Sequence, residues 1–152
     1  MVRFLTIMKL DSLANSLGKI FSLKQILFGT FDTTSLKLSM NKTEERVLMM
    51  AWHRGGASMT FLSREAGLEK GSLTAVVDSL ESYGLVSRER DGRDSRSFIV
   101  TATPSGARLA EKIEELFREH LEVLLDKLPR EDRLEFIKAA ETFARLIPTL
   151  AS

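Results

Sequence analysis

Residues 59–101 read MTFLSREAGLEKGSLTAVVDSLESYGLVSRERDGRDSRSFIVT. Phe61, Leu62 and Ala66 predict a brief helix that Thr60 caps and Gly67 closes, because glycine takes the left-handed C-cap conformation at no steric cost. From Glu69 or Lys70 onward, Leu73, Val76, Val77 and Leu80 recur at three- and four-residue steps, with Gly84 just past the end, which predicts a second helix. Leu85–Arg88 then switch to an extended pattern, SFIVTA at 97–102 answers it, and Asp91–Gly92 lies between them, as in a β-hairpin. Two short helices joined at a glycine turn and followed by a hairpin make a winged helix-turn-helix.

The flanks on both sides are helical. On the N-terminal side, Leu10, Leu13, Leu17, Ile20, Phe21, Leu27, Phe28 and Phe31 trace one face of a long helix that ends in the FDTTS stretch. Thr43, followed by Glu44 and Glu45, is the expected cap of the next helix, with Val47, Leu48, Ala51 and Trp52 as its apolar face and Gly55–Gly56 as its stop. A short strand around Ala57–Met59 leads back to the opening stretch. On the C-terminal side, Thr103 and Pro104 open a helix whose apolar face runs through Leu109, Ile113, Leu116, Phe117, His120, Leu124 and Leu128 as far as Pro129. A last helix from about Glu131 carries Leu134, Ile137, Ala140, Phe143, Ala144 and Ile147. The expected fold class is therefore mainly α with a small β-hairpin wing.

Composition excludes several functions. The 152 residues contain no cysteine, so disulfides, thiolate metal sites and cysteine redox sensing are out, and two histidines leave no metal site to expect. Gly-rich phosphate loops, H-E-x-x-H, G-x-S-x-G and paired histidines are absent, so neither catalysis nor a cofactor is expected. Lys9, Asp11, Lys19 and Lys24 interrupt the apolar N-terminal stretch well short of the ~20 residues a spanning helix needs, and no cleavage motif follows; a cytoplasmic protein with no membrane partner is expected. Net charge is +1, and residues 60–101 carry six basic against seven acidic groups. Any affinity for nucleic acid must come from the placement of charge.

Placement points to duplex DNA. A helix fits the major groove, while a hairpin reaches the neighbouring backbone or minor groove. With Leu73, Val76, Val77 and Leu80 inward, the early solvent-facing residues of the second helix are Lys70, Ser72, Thr74 and Ala75; the first three offer donors and acceptors to phosphate or base edges, and Ala75 can approach a thymine methyl. The hairpin supplies Arg88, Arg90, Arg93, Asp94 and Arg96. Asp94 can orient a guanidinium, with Arg96 as the inserting or phosphate-binding group and Arg93 as its main rival.

The run 61–106 resembles the MarR family of bacterial and archaeal regulators, including a D-x-R wing signature at Asp94, Ser95 and Arg96 and the opening Thr103 and Gly106 of the fifth helix. The chain departs from that pattern at Ala75, Gly71 and Ser95. The resemblance implies that residues 1–38 and 104–152 form a helical dimerisation module around a DNA-binding lobe at 39–103. It also implies a homodimeric transcriptional regulator, expected to be a repressor, on a pseudo-palindromic operator, with a small aromatic or phenolic effector as a further partner. Phe28, Trp52 and His53 are the candidate effector residues, with packing as the competing role of Trp52. A winged helix that binds protein instead of DNA is the alternative, supported by Glu65, Glu69, Asp78 and Glu81 against only Arg64 and Lys70 in residues 60–83.

Overall fold

The computed structural model describes residues 2–92 and 97–150. In chain order, α1 spans Val2–Gly29, α2 Lys42–His53, β1 Ala57–Ser58, α3 Met59–Ala66, α4 Lys70–Ser82, β2 Val86–Arg90, β3 Phe98–Ala102, α5 Pro104–Leu125 and α6 Arg130–Leu150. A 3₁₀ turn at Thr34–Leu36 precedes α2. Two units divide the chain, one made of residues 1–32 and 117–152 and the other of residues 33–116.

The second unit closes on a core of Val47, Leu48, Ala51, Ala57, Leu62, Ala66, Leu73, Val77, Leu80, Val86 and Val100. Every element from α2 to β3 contributes to it, which is how an 84-residue unit with three short strands gathers apolar surface to bury. The sheet has the order β1-β3-β2, antiparallel throughout, with Val86 opposite Ala102 and Arg90 opposite Phe98. β1 is only two residues long and pairs Ala57 with Val100.

Two caps differ from the sequence expectation. Asn41, not Thr43, caps α2: its side chain accepts from the Thr43 and Glu44 amides, and the Glu44 carboxylate accepts the Asn41 amide at 2.7 Å in a reciprocal capping box. Ser58, not Thr60, caps α3 by accepting from the Phe61 amide at 3.2 Å. Both hydroxyl-bearing threonines stood one or two residues inside the helix they were expected to start. Glu45, 8% exposed, accepts from the Thr33 hydroxyl at 2.8 Å and pairs with Lys42 at 3.1 Å, which satisfies a carboxylate that burial would otherwise penalise.

α5 is joined to the turn after α4 by backbone and side-chain bonds. The Thr103 hydroxyl donates to the Gly84 carbonyl at 2.7 Å and accepts the Gly106 amide at 3.0 Å, while the Thr103 amide donates to the Leu85 carbonyl at 3.0 Å. Gly106 is buried against Leu85. In the other unit, Phe117 stacks on Phe28 with centroids 5.2 Å apart and meets Phe31 edge-on at 5.1 Å, and Thr30 lies 3.4 Å from His120 Nε2. Leu10, Leu13, Leu17 and Ile20 of α1 and Leu134, Ile137, Phe143 and Ile147 of α6 remain exposed. Among the described residues no helix is long and apolar enough to cross a membrane.

Candidate nucleic-acid interface

The turn between α3 and α4 is built at Gly67, whose φ of 63° is the left-handed conformation expected of it. The Leu68 amide donates back to the Ser63 carbonyl at 3.0 Å, the Ser63 hydroxyl donates to the Leu68 carbonyl at 2.6 Å, and Arg46 donates from α2 to the Ala66 carbonyl at 2.6 Å. These bonds satisfy carbonyls that the end of α3 would leave unpaired, and they set the angle at which α4 begins.

α4 buries Leu73, Val77 and Leu80, with Val76 partly buried against the same core. That leaves Lys70, Gly71, Ser72 and Ala75 exposed on its first two turns. Thr74 is half-buried, and its hydroxyl donates to the Lys70 carbonyl of its own helix at 2.9 Å, so only its oxygen lone pairs face outward chemistry. Four of the expected residues thus share the opening of one helix. Beside them, Met59, Thr60, Ser63, Arg64, Lys70 and Leu73 line a depression between α3 and α4.

In the wing, β2 carries Arg88 and Arg90, which share a partner: their guanidinium carbons are 5.8 and 5.4 Å from the centroid of the Phe98 ring on β3. Arg88 is further engaged. Its Nη2 donates to Asp78 Oδ1 at 2.8 Å and Glu81 Oε2 at 2.9 Å, both on α4. The Asp91 amide donates to the Ser97 carbonyl at 2.9 Å across the base of the tip. Arg93, Asp94 and Arg96 lie outside the described residues.

Two side chains that the sequence reading passed over belong to this surface. Arg54, at the C-cap of α2, lays its guanidinium 4.1 Å over the Phe61 ring, and Arg64 approaches the same ring at 5.8 Å. Phe61 packs against the core and, only half-buried, also serves as a platform for two cations, which its three-residue distance from Arg64 hinted at and its link to Arg54 across the glycine turn did not. Of the candidate effector residues, Phe28 belongs to the first unit, where it is 56% exposed beside Phe117, and Trp52 and His53 belong to the second, with their rings 4.8 Å apart.

Comparison with known proteins places this geometry. The sequence profile of the MarR family matches residues 40–98, from the turn before α2 to the start of β3. The organic hydroperoxide resistance transcriptional regulator of Bacillus subtilis (strain 168) is 29% identical over 76 residues, covering 50% of this chain and 52% of that protein. The HTH-type transcriptional regulator YcgE of the same organism is 36% identical over 78 residues, covering 50% and 49%. This chain spans about half the length of these two relatives. Among solved structures, BldR from Sulfolobus solfataricus superposes with a TM-score of 0.64 at 26% identity over 88% of this chain and 97% of that one. The multiple antibiotic resistance repressor MarR superposes with a TM-score of 0.69 at 21% identity (82% and 91%), and NadR in complex with 4-hydroxyphenylacetate with 0.66 at 23% (84% and 90%).

Proposed function

From the match of residues 40–98 to the MarR family of transcriptional regulators, we propose that this protein is a cytoplasmic repressor that binds a pseudo-palindromic operator as a homodimer. The observation that carries the DNA reading is the pairing of acids around α4. Glu65 is held by Arg64, and Asp78 and Glu81 are both held by Arg88, so three of the four carboxylates that favoured a protein-binding role are already paired within the chain, two positive charges against three negative. Lys70, Ser72 and Ala75 are left exposed at the start of the helix, where groove contacts are made. The proposal assigns Arg90, Arg93 and Arg96 to the phosphates or minor groove, with Asp94 orienting its arginine neighbours.

Fluorescence anisotropy with genomic DNA fragments at two salt concentrations tests this. Salt-dependent binding to a subset of fragments is expected; no salt-sensitive binding to any fragment overturns it. Arg96→Ala should weaken binding to all sequences and flatten the salt dependence by about one unit of slope, whereas Lys70, Ser72 or Thr74 substitutions should change the preferred sequence.

The proposed effector is a small aromatic acid. The exposed ring of Phe28, already stacked on Phe117, offers a π-face to such a ligand, and NadR is a related fold known in complex with 4-hydroxyphenylacetate. A melting-temperature rise with 4-hydroxyphenylacetate that Phe28→Ala abolishes would support this; no shift at millimolar ligand would remove that compound. Because the 152 residues hold no cysteine, a thiol-based peroxide response is chemically closed to this chain, despite its likeness to an organic hydroperoxide resistance regulator.

A further inference from the structure

We infer that Arg88 serves DNA binding as an internal counter-charge to Asp78 and Glu81 and makes no contact with DNA itself. The inference rests on α4 being the DNA-facing helix. Along α4, Gly71, Ala75, Asp78 and Ser82 follow one another at four-, three- and four-residue steps and are all exposed, so the stripe that carries Ala75 toward a groove continues into a carboxylate. Glu81 lies one turn from Asp78. Two carboxylates in that position would meet a polyanion within a Debye length of about 8 Å, where screening by salt is incomplete.

Arg88 halves that conflict by offsetting one of the two negative charges. It projects from β2 rather than from α4, and one nitrogen, Nη2, lies 2.8 Å from Asp78 and 2.9 Å from Glu81. Its side chain is the least exposed of the three, 26% against 54% for Asp78 and 30% for Glu81, and Phe98 flanks its guanidinium. To reach a phosphate it would have to abandon both carboxylates at the moment a negative surface arrives. The costlier state is then the one with DNA bound, because two half-screened acids would be left facing phosphates. Arg90, two residues along the same strand, stays assigned to the DNA.

The test uses the full chain and a duplex that the wild type binds, with melting temperature and circular dichroism recorded for each variant. Arg88→Gln should weaken binding by roughly five- to tenfold, the scale of one charge at a polyanion. Adding Asp78→Asn and Glu81→Gln to it should restore affinity to within about threefold of wild type, since the charges that Arg88 masks are gone. If the triple variant stays as weak as Arg88→Gln, or Arg88→Gln binds like wild type, the inference is overturned. Should Arg88→Gln fail to fold, the triple variant, which has no unpaired acid, decides alone: affinity within about threefold of wild type supports the counter-charge, and affinity about tenfold weaker means that Arg88 itself contacts DNA. Failure of the wild type to bind any duplex would instead bring down the DNA reading from which the inference starts.

Discussion

Gly106 occupies a place that no side chain can share. A β-carbon there would run into the Leu85 carbonyl and press on the Leu48 side chain, and the carbonyl is held in place by its bond to the Thr103 amide. Backbone on one side and core on the other leave nothing flexible to yield, so Gly106→Ala should cost about 2–4 kcal/mol and lower the melting temperature by roughly 5–10 °C in a calorimetric scan. Thr103→Val is a milder version of the same damage. It keeps the shape but deletes the hydroxyl that accepts the Gly106 amide and donates to Gly84, for an expected loss of about 1 kcal/mol by denaturant titration. Thr103 and Gly106 stood out in the sequence; that their shared partner is the turn after α4 did not, because Gly84 and Thr103 are 19 positions apart and the chain between them first has to fold back as a hairpin.

At the scale of elements, α4 is built with a weakness at its start. Gly71 lies in the first turn, and a β-carbon there would meet nothing within 4 Å. Gly71→Ala should therefore stabilise the free protein by up to about 1 kcal/mol. If the bare backbone at Gly71 lets the helix end approach DNA closely, the same substitution should weaken operator binding. A melting temperature that rises while anisotropy reports a lower affinity is the expected result; a rise in both would make Gly71 an ordinary weak point of the helix. The wing and α4 are joined by Arg88 as well as by the core residues Val77, Leu80 and Val86, so the charge pairing and the apolar packing act on the same two elements.

For the whole molecule, the largest unexplained quantity is apolar surface. α6 contributes no buried residue, and α1 and α6 together expose Leu10, Leu13, Leu17, Ile20, Leu134, Ile137, Phe143 and Ile147. Helical faces of this kind are covered in a stable protein, and a second copy of the chain is the cover that the proposed function requires. Sedimentation equilibrium at micromolar concentration should report a dimer. Leu13→Glu combined with Leu17→Glu should shift it toward monomer and cost operator affinity, because the second half-site is then lost; a wild-type monomer would count against the homodimer directly.

The spacing of Leu73, Val77 and Leu80, the glycine at 67 and the alternation around Val86 and Val100 determined the helix-turn-helix and its hairpin, because local periodicity is set by backbone geometry and needs no distant partner. Which residue begins a helix was less legible. Asn41 and Ser58 took the caps expected of Thr43 and Thr60, since several nearby side chains could accept an amide and packing of the following turn selected among them. Charge was the least legible. Arg88 and Arg90 are equivalent in sequence, two basic residues on one strand, and only the approach of β2 to α4 makes Arg88 the partner of Asp78 and Glu81. Coulomb energy depends on distance in space, and that distance is decided by the tertiary fold.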